Sequence, residues 1–203
     1  MIDQSTIEAV LAAGLETGAD FAEVFAEDRR SVSALLDDGR VEDLTSGRDR
    51  GAGVRVVVGE TTGFAHTADL SEASLVAAAR MAAVGAAGTG GPRRVVDLGT
   101  VDATNPSTVA VYPEEVDKAT KVALLQRAEE AARGEGAAIT QVSARYADSR
   151  RRILVANSNG VLAEDDQVRS LFSVSTVATG DTGMQTGRES IGHTRRLRAV
   201  RHQ

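Results

Sequence analysis

The sequence contains no cysteine and no tryptophan, and its 203 residues include only three histidines and three prolines. The missing cysteines exclude disulfides, thiolate metal sites and cysteine nucleophiles together, and they leave the redox compartment open. His66, His193 and His202 are too far apart to form a local metal-binding pair, and no His-Glu-x-x-His helix is present. A metal site would have to be assembled from scattered carboxylates, so none is expected within these residues. Aromatic residues make up 3% of the chain. The core must therefore be built from Ala, Val and Leu, which gain less per residue than large rings. Long apolar runs are absent too: nothing approaches the roughly 18 residues of a membrane span. The opening MIDQSTIEAVLAAG has no basic stretch ahead of its spaced apolar positions. A cytoplasmic protein with no membrane partner is expected.

What is present fits an ordinary globular protein, with 42% hydrophobic and 26% charged residues. The net charge is −6, and the last nine residues hold four arginines, so the body is more acidic than the whole. Phosphate backbones require a basic face, which argues against nucleic acid as a partner.

Local patterns predict an α+β fold made of two helix-plus-antiparallel-sheet units. Ser5 and Glu8 in STIE read as a capping box for a helix over 6–16. Strands are expected at 31–36 and 40–45 around an Asp38-Gly39 hairpin turn, and again in GAGVRVVVG, with Val54, Val56 and Val58 on one face. ETTG (60–63) should turn the chain into GFAHT, which places His66 on a strand face. A second helix is expected from Asp69 or Ser71 to about Ala87. The Gly/Pro-rich GAAGTGGPRR then breaks the pattern. Tyr112-Pro113-Glu114-Glu115 should start a third helix that ends before Gly134. Beyond it, AITQVSARYADS and RRRILVAN read as two strands, Asn159-Gly160 as a second type I′ turn, and VLAEDD and VRSLFSVSTVATG as two further strands. Domain boundaries follow: 1–88 a first α+β domain, 89–111 a linker, 112–194 an incomplete central α+β domain and 195–203 a basic tail. DRRSVSALLDDGRVED (28–43) and SRRRILVANSNGVLAED (149–165) share one pattern, although hairpins of this kind look alike without duplication.

Motifs that carry chemistry are scarce. Asp181-Thr182-Gly183 matches the triplet of aspartic proteases, but a single triplet after a long strand reads as a turn. Gly51-Ala52-Gly53 precedes a strand rather than opening a helix, so it is not a phosphate loop; the glycines instead permit a bulge or close passage of another backbone. No G-x-S-x-G elbow exists, and Asp37-Asp38 and Asp165-Asp166 are turn residues. No catalytic residue is expected in this chain.

The segment LLDDGRVED, the strand GAGVRVVVG and TGFAHT, continued by NSNGVLAEDDQVRSLFSVSTVA and DTGMQTGRESIGHT, resemble the TldD/PmbA family, often labelled modulators of DNA gyrase. The likeness covers about residues 5–194 and is closer to TldD. It implies a zinc peptidase roughly twice this length that pairs with a PmbA-like subunit and cuts flexible peptides. The family's metal motif, His-Glu with a second histidine four positions after the glutamate, and a cysteine ligand would lie beyond residue 203. The zinc would polarise the scissile carbonyl, with the glutamate as general base. GRESIGHT fits the family and RRLRAVRHQ does not, so the expectation is a frameshifted or shortened chain; a basic tail for an acidic partner is the alternative. The chain is then expected to be inactive alone, with no cofactor, and to pair with a PmbA-like subunit or with itself. An edge strand would hold an extended peptide by main-chain pairing, with Gly51, Gly53 and Arg55 as substrate-contact candidates. The rival reading is a non-catalytic assembly or peptide-binding module.

Overall fold

A computed structural model describes residues 1–86, 97–100, 109 and 111–194. The Gly/Pro-rich segment after residue 86 falls largely outside these residues, and the 195–203 tail falls wholly outside them. The element order is α1 (Gln4–Leu15), β1 (Phe21–Asp37), β2 (Arg40–Val58), β3 (Thr61–Thr67), α2 (Glu72–Ala86), β4 (Gly99–Thr100), a 3-10 turn at Pro113–Glu115, α3 (Lys118–Gly134), β5 (Ile139–Asn157), β6 (Val161–Gly180) and β7 (Gly183–His193). The strands form one sheet in the order β3-β2-β1-β5-β6-β4, with β7 also pairing β6. Pairs β2–β3 and β6–β7 are antiparallel, and the short β4 runs parallel to β6. Backbone bonds from Ser158 to Ala22 (2.8 Å) and from Asp38 to Val142 (2.9 Å) fix an antiparallel β1–β5 pair. With three helices flanking the sheet, the fold is α+β.

Two compact units emerge, and neither is a single stretch of chain. The first is Met1–Arg29, Asp49–Asn105 and Arg151–Asp166; the second is Arg30–Arg48, Pro106–Arg150 and Gln167–Gln203.

In the first unit, α1 and α2 cover one face of the sheet. Ile7, Val10, Leu11 and Leu15 meet Leu75, Ala79, Ala82 and Ala83 over Ala22, Val24, Ala26, Val54, Val56 and Ala65. Burying each Val, Leu or Ile contributes about 1.5–3 kcal/mol, and the many alanines let the backbones approach closely instead of filling space. The limit of that approach is at Gly63, where a Cβ would stand 1.9 Å from the Ala82 carbonyl oxygen.

The second unit has a smaller apolar core: Ala34, Leu36, Leu125, Ala144 and Tyr146, flanked by Leu124, Phe172 and Val174. Asp117 caps α3 by accepting from Thr120 N, and Arg133 in its last turn bonds Glu129 (3.1 Å) and also Asp38.

Several expectations need correction. Asp3, not Ser5, caps α1: its carboxylate accepts from Thr6 N at 2.8 Å, while Ser5 donates its hydroxyl to the same side chain. The strands are far longer than expected. β1 begins at Phe21, because Ala22, Val24, Ala26 and Asp28 alternate inward behind an outer phase that is itself partly aromatic. Segments expected as separate strands join into the single strands β2, β5 and β6. The turn before β3 is confined to Gly59-Glu60, with Thr61 already paired to Val58. Tyr112–Glu115 makes only a 3-10 turn, which stops at an extended Val116 before α3 starts afresh. The α2 helix begins at Glu72 directly behind Ser71, one of its two expected starts, whose hydroxyl accepts from Ser74 N at 3.4 Å, while the Asp69 carboxylate accepts from Ser71 N and Ser74 Oγ. Asp38-Gly39 has positive φ at both residues, 48° and 82°, as a type I′ turn requires. At Asn159-Gly160 only the glycine does, so that turn is of another kind. Asp181-Thr182 forms the tight β6–β7 turn, with Gly180 paired to Gly183.

Candidate functional site

Gly51, Gly53 and Arg55 lie on β2 within the first unit, where residues 52–58 pair with 61–67 of β3. A Cβ at Gly51 would come 2.9 Å from the Thr67 carbonyl oxygen, and one at Gly53 would come 2.9 Å from two carbons of the Phe64 ring. The backbone and side chain that pass close to these glycines therefore belong to β3. Because β2 lies between β3 and β1, the outer main-chain edge at this end of the sheet order belongs, among the described residues, to β3 and not to 52–58.

Arg55 is opposite Phe64 in the register. Its guanidinium reaches Glu23 at 3.1 Å and lies over the Phe21 ring at 5.5 Å. Phe64 is 66% exposed and stacks on the His66 ring at 6.2 Å, and Phe25 is also exposed. Alternation puts Phe21, Phe25, Phe64, His66 and Arg55 on the sheet face opposite the buried Ala22, Val24, Val54 and Val56. Three of the chain's four phenylalanines thus lie on the sheet face that α1 and α2 do not cover. Such a surface can grip apolar and acidic side chains by packing and charge. It holds no paired nucleophile and base. The glycines and Arg55 were legible as a pattern in the sequence; the aromatic surround was not, because Phe21 and Phe25 precede the first strand the sequence suggested.

The second unit holds a buried polar cluster that sequence reasoning missed. Lys121 and Asp148 meet at 2.6 Å, each almost wholly buried, and Lys121 Nζ also donates to the Pro113 carbonyl at 2.9 Å. The ammonium lies 5.6 Å from the Tyr146 ring centre. Burial pushes the Tyr146 hydroxyl pKa well up, and its bond to Asp148 adds to this, with a bond to Ser170 acting the other way. The available signal was Tyr146 and Asp148 at strand spacing, but nothing in the sequence pairs either with a lysine on a helix. This arrangement ties α3 and the 3-10 turn to β5, and with no access from solvent it offers no substrate position. Nearby, Arg150 stacks its guanidinium on Tyr112 at 3.7 Å and pairs with Glu114 at 2.6 Å.

Among the described residues no three His, Cys, Asp or Glu side chains come together to hold a metal ion. His66 lies on β3 and His193 ends β7; His202 is outside the described residues. No helix among the described residues is long and apolar enough to cross a membrane.

Comparison with known proteins adds the following. Residues 22–86 match a family model described as PmbA/TldA metallopeptidase domain 1, and residues 111–197 match the PmbA/TldA metallopeptidase central domain. A metalloprotease of Methanothermobacter thermautotrophicus is 30% identical over 186 residues, covering 89% of this chain and 39% of the relative. A metalloprotease TldD homolog of Haemophilus influenzae is 30% identical over 161 residues, covering 78% of this chain and 33% of the relative. The chain therefore spans well under half the length of these relatives. The crystal structure of TldE from Thermococcus kodakarensis superposes with a TM-score of 0.71 at 14% identity, over 93% of this chain and 43% of that one, a likeness of fold.

Proposed function

This chain belongs to the PmbA/TldD metallopeptidase family, and from that premise we propose that it is the amino-terminal scaffold of a TldD-type zinc peptidase that hydrolyses flexible peptides in the cytoplasm. The match of both domain models across residues 22–197, with metalloprotease relatives on the sequence side, carries the reading. The proposal keeps the division into a first domain (1–88), a linker (89–111), a central domain (112–194) and a basic tail (195–203). It assigns the metal and its general base to polypeptide other than these residues. Among the described residues no set of side chains gathers to hold that metal.

In this reading the chain's own role is to shape and bind. The aromatic face around Arg55, with Gly51 and Gly53 letting β3 lie close, contacts an extended peptide, and a TldE- or PmbA-like subunit or a second copy completes the assembly. Resemblance of fold to TldE supports such pairing between similar subunits. The test is direct: the pure chain is incubated with zinc and an unstructured fluorescent peptide, and separately with a purified PmbA-like subunit. No cleavage alone, together with co-elution with the subunit, is expected. Zinc-dependent cleavage by the chain alone overturns the assignment.

A non-catalytic assembly or peptide-binding module is the second reading, favoured by the exposed Phe25 and Phe64. It predicts capture of subunit or peptide even when a complete peptidase carrying the metal segment is absent from the cell.

A further inference from the structure

On the sheet face of the first unit that α1 and α2 do not cover, one position between aromatic residues has no side chain. Gly53 of β2 is opposite His66 of β3. On the other side, the register that sets Glu23 beside Arg55 brings Phe25 of β1 opposite Gly53. Neighbouring strands lie about 4.8 Å apart, so His66 and Phe25 stand about 10 Å apart with only Gly53 between them. The Phe64 ring uses this gap. Phe64 is paired with Arg55, yet two of its ring carbons are 2.9 Å from the position of a Gly53 Cβ, so the ring leans over the glycine. Any side chain at 53 would displace it.

Leaning over Gly53 does not bury the ring. Phe64 remains 66% exposed and Phe25 40% exposed, and His66 stacks on Phe64 with 28° between the ring planes. Three rings therefore border one shallow hollow, with Phe64 as its floor. Gly51, the next residue in the same phase of β2, has no side chain to close the hollow along the strand. The charges around it cancel in pairs: Arg55 meets Glu23 at 3.1 Å, and Arg151 meets Glu27 at 2.8 Å. An acidic ligand must compete with a carboxylate already in place, and a basic one with a guanidinium. Exchanging one exposed ion pair for another gains little.

Of the apolar and acidic groups that this face can grip, the pairing of its arginines therefore favours the apolar. Rings are favoured over aliphatic chains, because an aromatic pair gains from ring geometry beyond the area it buries. We propose that the hollow is a subsite for one uncharged aromatic side chain of an extended peptide, packed on Phe64 between His66 and Phe25. The inference rests on the reading of this face as peptide-contacting, and it adds which side chain the face selects.

The chain has no tryptophan, so indole emission reports on a peptide alone. An acetylated, amidated peptide of glycines with one central tryptophan is titrated with the chain, and peptides with phenylalanine, leucine, glutamate or lysine at the centre compete for it. The hollow is shallow, so half-saturation is expected at about 1 mM. The phenylalanine peptide should displace the probe about fivefold better than the leucine peptide, and the charged peptides should displace it least. No saturable binding, or equal competition by the leucine or glutamate peptide, overturns the proposal. Phe64→Leu should bring the phenylalanine and leucine peptides to parity at an unchanged melting temperature; Phe25→Leu, which leaves the cover over Gly53 in place, should narrow the same preference. If Phe64→Leu lowers the melting temperature and the preference survives, the ring only covers Gly53 and the subsite is refuted. Self-association in sedimentation that Phe64→Leu abolishes, with no peptide bound, assigns the face to a second copy and refutes it as well. Binding is read without zinc and without a second subunit: a preference for rings stands even if no peptidase assembles, and an assembled peptidase lacking that preference refutes the subsite alone.

Discussion

Gly63 offers the sharpest test of how this alanine-built core holds together. It sits on β3, opposite Val56 of β2, and faces the last turn of α2. A Cβ there would lie 1.9 Å from the Ala82 carbonyl oxygen, 2.5 Å from Ala86 N and 2.9 Å from the Gly85 carbonyl carbon. All three are backbone atoms of one helix, so no side chain can rotate away. Ordinary contact requires about 3.5 Å, and the helix must therefore retreat by more than 1 Å. It would carry with it Leu75, Ala79, Ala82 and Ala83, all buried. A gap of that size forfeits roughly a quarter to a half of each contact it opens. Overpacking typically costs 1–3 kcal/mol, and with backbone on the receiving side Gly63→Ala should cost about 3 kcal/mol, or a melting temperature lower by about 6–12 °C for a chain of this size. Gly85→Ala is the control on the same contact. Its Cβ would meet Gly63 Cα at 3.5 Å, an ordinary distance, and alanine gains up to about 1 kcal/mol over glycine inside a helix. The two substitutions, facing each other, should differ in sign. Urea titration followed by circular dichroism measures both. A Gly63→Ala midpoint indistinguishable from the parent, or equal damage from Gly85→Ala, would refute the close-contact reasoning.

Two further predictions concern charge. Lys121→Met leaves the Asp148 carboxylate buried and unpaired, and it should destabilise the chain by about 3–5 kcal/mol in denaturant titration, whereas adding Asp148→Leu should recover much of that loss because both charges are then gone; a double variant no better than the single would show that packing, not charge, is at stake. Asp3 is held down to about 2 from its ordinary 3.8, chiefly by the Ser5 hydroxyl and then by Thr6 N. Its folded-state value lies below its unfolded one, so its contribution to α1 is complete above about pH 4 and is lost as pH falls toward 2. A carboxyl titration by NMR should place Asp3 near 2 in the parent and higher in Ser5→Ala, and an unchanged value in the variant would contradict the assigned cause.

How far the fold was legible depended on which phase of each strand was apolar. The Asp38-Gly39 turn could be read because both positions need positive φ and the residues are those that tolerate it. The valines of β2 could be read because Arg55 interrupts them on the opposite phase. The stretch 21–30 could not, since Phe21 and Phe25 occupy one phase and Ala22, Val24 and Ala26 the other, and two competing apolar phases cancel the period-2 signal. Residues 46–51 hid their strand for the opposite reason: with both faces of β2 exposed there, Ser46, Gly47, Arg48, Asp49 and Arg50 carry no hydrophobic alternation. Tyr112–Glu115 misled because proline and acids signal a helix start equally well for one turn or for five; the extended Val116 separates that turn from the Asp117 cap.

The same physics decides what could be read of the sites. Gly51 and Gly53 were visible because a glycine in a strand demands a neighbour that comes close, but sequence cannot say whose backbone that is. Here it is β3, whose partner register was set by the Gly59-Glu60 turn.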